Sequence, residues 1–210
     1  MDMISPDHVI RDHASLEALY GAPSPASLSK ETPFIHAHYR TLIEASPFMI
    51  LATSGSGGLD CSPRGDPTGS FVQILDDRTL LIPDRRGNNR TDSLRNIIED
   101  PRVALLFLIP GVGETLRVNG TAVISTDPGL IQRFEHQGTF PRSVIVVTAE
   151  TVYFQCPQAL IRSELWNPEK HIDRKSLPST GTIIKDISKG DFDGDQYDRD
   201  YPARLKATIY

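Results

Sequence analysis

The chain has 210 residues, 39% of them hydrophobic and 23% charged, which is a soluble globular composition with enough apolar material for a real core. It excludes a wholly disordered or membrane-embedded class, and a net charge of −5 argues against non-specific nucleic-acid binding as the main task. Two cysteines only, Cys61 and Cys156, no secretory-type N-terminal segment and no apolar run approaching roughly 20 residues predict a cytoplasmic protein with no membrane partner.

Taken in order, residues 7–20 carry Val9, Ile10, Leu16, Leu19 and Tyr20 at helical spacing and stop at Gly21, so a helix is expected there. A Pro- and Ser-rich connector, 22–29, leads to a second helical pattern that ends near Ser46. His36 and His38, two apart, are expected to diverge on that helix rather than share a metal. From Phe48 the period shortens to that of strands: 48–54, 57–63, 71–75 and 79–83, with turns at 55–58 and 76–77.

The next stretch, IPDRRGNNRTDSLR from Ile82 to Arg95, reads as strand, polar turn and helix, with the helix over 89–98 and Leu94, Ile97 and Ile98 on one face. Asn89 is the expected N-cap. Free N–H groups, the positive end of the helix dipole and Arg85, Arg86 and Arg90 in one turn suit a phosphate dianion. A solvated basic turn with an ordinary cap stands beside that reading. No Gly-Lys-Ser/Thr follows, so the turn is not a nucleoside-triphosphate loop.

Further strands are expected over 103–109, 115–125 and 143–155, the last interrupted near Ala149–Glu150, with a short helix over 127–136. A helix follows Cys156, starting at Pro157 and turning Leu160, Ile161 and Leu165 inward. From Asn167 the chain is polar and irregular in pattern. Asp191, Asp193 and Asp195 lack the glycine and glutamate spacing of a calcium loop and read as solvated. Six or seven closely spaced strands with short inserted helices predict a closed or half-closed β-barrel.

Four segments, as an ordered set, resemble one family. They are Ser62-Pro63-Arg64-Gly65-Asp66, Leu81 to Ile97, Gly113 to Gly120, and Cys156 to Trp166. Together they resemble the pyridoxamine 5'-phosphate oxidase-like FMN-binding split barrels, over about Phe48 to Trp166. The resemblance implies a mainly β protein with flanking helices: a six-stranded antiparallel Greek-key split β-barrel that forms a homodimer with FMN at the subunit interface. It implies a helical extension over 1–47 packed on the barrel, the FMN-binding domain over 48–166 and a polar tail over 167–210.

It also implies the cofactor contacts. Ser62, Pro63, Arg64 and Gly65 would lie along the ring and ribityl chain, the turn with Arg85, Asn88, Asn89 and Arg90 would grip the phosphate, and Ile82, Pro83 and Asp84 would also contact the cofactor. Leu116 and Arg117 complete the set, with Arg162 and Trp166 reaching the ring from the partner subunit. The vitamin-making oxidases carry a C-terminal Arg-x-His that holds substrate phosphate; here Lys170 to Arg174 is only loosely alike. The implied activity is therefore FMN-dependent oxidoreduction of a small substrate of another kind, by flavin-mediated hydride transfer. A flavin-storage protein and an F420- or haem-binding split barrel are the alternatives. No Ser-His-Asp, Cys-His or paired-carboxylate motif marks a catalytic residue, and no metal site is expected.

Overall fold

The computed structural model describes residues 5–210, which fall into two compact units, one ending at Glu31 and the other spanning Thr32–Tyr210. In the first, a single 3-10 turn, Pro6–His8, precedes helix α1, His13–Tyr20, and α2, Pro25–Ser29. The Asp12 carboxylate accepts the Ser15 N–H at 2.8 Å, so α1 starts there rather than at residue 7. It ends at Gly21, whose φ of 71° suits a residue without a Cβ.

The second unit opens with α3, Ala37–Ala45, which buries Tyr39 and Ile43. His36 is its N-cap and lies outside the helix, so its ring stands 5.0 Å from that of His38 instead of diverging. Strands β1, Phe48–Gly55, and β2, Gly58–Gly65, form a hairpin; β3, Gln73–Ile74, and β4, Thr79–Asp84, form another. After α4, Asp92–Glu99, come β5, Arg102–Leu108, and β6, Thr115–Ser125; after α5, Pro128–Gln132, comes β7, Ser143–Gln155. Three more helices follow: α6, Gln158–Ser163; α7, Thr180–Ile187; and α8, Gly194–Thr208.

All pairings are antiparallel in one sheet of seven strands, ordered β2-β1-β5-β6-β7-β4-β3. The six-stranded expectation is corrected by β3. It pairs through only two residues, because Phe71 and Val72 turn into the core instead of extending it. The sheet is not closed by hydrogen bonds, yet it curls: β2 and β4 are separated by four strands in the order, and Arg64 still meets Asp84 at 2.5 Å.

Alternation fills the inside of this curl. Met49 and Leu51 of β1, Leu105 and Phe107 of β5, and Leu116 and Val118 of β6 are all at most 1% exposed. Each such side chain contributes about 1.5–3 kcal/mol by leaving water. In β7 the inward positions are 145, 147 and 149, then 152. The phase changes because Gly120 pairs with Ala149 and Asn119 with Thr151, leaving Glu150 as an extra residue. Val144 of β7 turns outward and is buried with Leu81 and Phe134, so β7 is covered on both faces.

Residues 167–210, read as irregular from their polarity, carry α7 and α8. Each has a side-chain cap, Ser179 and Asp193, and they meet where Gly181 and Gly194 let the backbones approach. The acidic run is used locally: Asp193 caps α8 and Asp195 pairs with Lys185 at 2.8 Å. Among the described residues no helix is long and apolar enough to cross a membrane.

Candidate functional site

Curling brings the C-terminal end of β2 against the turn after β4, and a cleft of about 810 Å³ opens between them. Its β2 wall is residues 60–66, its far wall Pro83 to Leu94, and Arg142, Ile209 and Tyr210 stand at its edge. Two ion pairs join the walls. Arg64 Nη1 meets Asp84 Oδ1 at 2.5 Å, and Arg85 Nε meets Asp66 Oδ2 at 2.7 Å. Arg85 Nη1 also donates to the Phe134 carbonyl at 2.7 Å, so two nitrogens of its guanidinium hold the turn in place. The Asp66 side chain is 2% exposed, a buried carboxylate that needs this partner.

Arg64 is less complete. Its Nε is buried with no acceptor, an omission that costs roughly 1–3 kcal/mol. The turn beyond Arg85 is open: Arg86, Gly87, Asn88, Asn89 and Arg90 are all exposed. Arg90 Nε reaches Asp92 at 2.8 Å, and the Asn88 amide oxygen accepts the Arg90 N–H at 3.1 Å.

The helix does not begin at Asn89. Asn89 has φ 62° and Thr91 φ 58°, so both are left-handed, and Thr91 is the N-cap of α4. Asparagine tolerates that region, whereas β-branched threonine is strained there by about 1–3 kcal/mol. No side chain caps α4, so its first N–H groups have no side-chain acceptor at the cleft wall.

Polar anchors hold α4 against the sheet. Ser93 donates to Asp60 of β2 at 2.5 Å, and Asn96 donates to Thr53 of β1 at 3.1 Å. The buried face is therefore Ser93, Asn96 and Ile97, with Leu94 half-buried, while Ile98 is 77% exposed instead of sharing the inner face.

Of the residues expected to hold a cofactor, Ser62, Pro63, Arg64 and Gly65 line the β2 wall. Pro83, Asp84, Arg85, Asn88, Asn89 and Arg90 line the other. The remaining five stand elsewhere in this subunit. Ile82 and Leu116 are in the core, at 0% and 1% exposure. Arg117 lies over the Tyr153 ring, 5.8 Å from its centroid. Arg162 is exposed on α6, and Trp166 Nε1 donates to the Val112 carbonyl at 2.8 Å.

The residue without any signal in the sequence is Tyr210. Its ring lies 4.2 Å from that of His136 and 5.7 Å from the Arg85 guanidinium carbon. Burial first, then the Asp66 carboxylate, pushes its phenol above the usual value and keeps it protonated. Among the described residues no group of three His, Cys, Asp or Glu is arranged to hold a metal.

A curled antiparallel sheet with a polar, arginine-rich cleft at its open seam is a half-barrel. The family model for pyridoxamine 5'-phosphate oxidase matches residues 35–156, which is more than half of the chain, and the chain belongs to that family. No curated protein matches it. Among solved structures it is similar to HupZ of Group A Streptococcus, at 19% identity over 56% of this chain and 91% of that one, TM-score 0.46. It is also similar to a putative pyridoxamine 5'-phosphate oxidase of Lactobacillus delbrueckii, at 22% identity over 58% and 95% of the two chains, TM-score 0.45. The FAD binding protein of Mycobacterium smegmatis is similar at 15% identity over 59% and 97%, TM-score 0.40.

Proposed function

We propose that this chain is an FMN-dependent oxidoreductase acting on a small, planar or conjugated substrate, and that the cleft at the barrel seam is its cofactor site. One observation carries the reading: curling sets the polar end of β2 against the side-chain-uncapped start of α4 in a single cleft of about 810 Å³. That volume lies within the roughly 300–1,000 Å³ of pockets that enclose ligands of this size.

The residues fit the group. The Asn88–Asn89–Arg90 turn and the α4 N–H groups would hold the phosphate, combining helix dipole, backbone donors and a guanidinium. Residues 62–65 would lie along the ring and ribityl chain. Arg85 positions rather than binds: it locks the turn to β2 and to the Phe134 carbonyl. Tyr210 and Arg142 close the cleft's edge. Bound there, the flavin supplies hydride transfer, and the protein's part is to bind, orient and exclude water. A homodimer, with Arg162 and Trp166 offered to the partner's site, belongs to the same reading, as does a cytoplasmic location.

Reconstitution tests it. Purified protein should take up FMN and show a flavin spectrum, and Arg90→Ala should weaken FMN by roughly tenfold to a hundredfold, the loss of one charge-assisted hydrogen bond. Riboflavin should be unaffected. Equal weakening of both would remove Arg90 from the phosphate, and failure to bind FMN would remove the flavin reading. Anaerobic photoreduction followed by a panel of oxidants separates enzyme from carrier, because a storage protein reoxidises without selectivity.

A further inference from the structure

We propose that a second pocket, beside the cleft and about 270 Å³ in volume, binds a small aromatic carboxylate, with Arg86 and Arg142 on the charge and Phe140 and Tyr210 on the ring. Strand register builds it. Asp84 of β4 pairs with Ser143 of β7, so the residues just after β4 and just before β7 must run side by side. That places Arg86 and Arg142 beyond the same end of the β4–β7 pair.

Their charge is not compensated. Arg64, Arg85 and Arg90 each have an aspartate partner. Arg86 has no ion pair or hydrogen bond among the described residues, and Arg142 has one bond, at 3.3 Å, to the neutral amide oxygen of Asn89. Two unpaired guanidinium groups side by side repel, in a chain whose net charge is −5. A bound anion removes that cost. Beside them Phe140 is 52% exposed and Tyr210 offers a second ring.

The ligand class follows from the lining. Arg86 and Arg142 share their pocket with the rings of Phe140 and Tyr210, so a ligand that carries both an anionic group and a ring uses the whole lining. A planar carboxylate matches the guanidinium fork, and its ring gains by leaving water against Phe140 and Tyr210. Arg85, Arg86, Arg142 and Tyr210 line both pocket and cleft, so a ring held here borders the cofactor site. Its use as a substrate position rests on the flavin reading above; its existence as a binding site does not.

The test is calorimetry and saturation-transfer NMR with benzoate, phenyl phosphate and benzyl alcohol, on the protein with and without FMN. Benzoate should bind more tightly than either analogue, and Arg86→Gln and Arg142→Gln should each weaken it by about tenfold. Phe140→Ala should weaken benzoate and benzyl alcohol alike. Tighter binding of phenyl phosphate, or benzoate binding unmoved by both arginine variants, overturns the proposal. So does a fall in FMN but not riboflavin affinity in Arg142→Gln, which gives that arginine to the cofactor phosphate. Protein that takes FMN but not benzoate loses the pocket alone; protein that takes benzoate but never FMN keeps the pocket and loses the flavin reading.

Discussion

Asp66 shows how much of the cleft depends on single side chains. Its carboxylate is nearly dry and meets Arg85 at 2.7 Å, so removing the arginine strands a buried charge rather than merely deleting a contact. Arg85→Ala is expected to lower unfolding free energy by about 3 kcal/mol in urea denaturation, because loss of one partner of a buried pair typically costs roughly 3–5 kcal/mol. The double variant Asp66→Leu with Arg85→Met should recover most of the loss. A single-variant cost under about 1 kcal/mol, the range of exposed pairs, would show that water reaches Asp66.

Among the elements, α7 and α8 show how polar sequence makes ordered structure. The two helices are joined by backbone approach and by Asp198, which accepts from the Gly181 N–H at 2.8 Å and from Ser179. A Cβ on Gly181 would collide with the Gly194 carbonyl and the Asp198 carboxylate, and backbone cannot yield cheaply. Gly181→Ala should therefore part the two helices. Since α8 leads directly to Ile209 and Tyr210 at the cleft, loosening it should be felt there as well. Hydrogen exchange should speed up over 180–208 while β5 to β7 stay protected. Unchanged exchange in α7 and α8 would mean that the helices shift past the methyl group without separating.

For the whole molecule the open question is what faces a second copy. Leu105, Phe107 and residues 144–147 are buried in the chain's own core apart from half-buried Val146, so they are not available to a second copy. The apolar side chains left exposed near the site's expected partner contacts are on and after α6: Ile161 at 65% and Leu165 at 46%. A dimer using that surface would link subunit association to cofactor binding. Sedimentation at low micromolar concentration should show a dimer, and FMN at a hundred times its Kd should stabilise it by about 2.7 kcal/mol. A monomer holding one tightly bound FMN would refute the shared site. Ile161→Asp should shift the equilibrium toward monomer without unfolding the sheet.

What the sequence determined by itself is local. Strands 115–125 and 143–155 were legible to the residue, and the pause at Ala149–Glu150 marked the bulge, because alternation and its interruption are properties of neighbouring residues. The polar turn after β4 was legible as a break between an apolar strand and a helix, while residues 62–65 were marked only by their resemblance to the family's motif; both line the cleft. Tertiary structure decided what covers each face. Alternation says which residues point the same way, not what meets them, so β5 and β7 could not be assigned to core or interface. It also decided the partners of Arg64 and Arg85, which lie 20 and 19 residues from Asp84 and Asp66, and it set Tyr210 against His136 and Arg85 from far along the chain. Those contacts exist only once the sheet has curled, and curling depends on twist accumulated over every strand between β2 and β4.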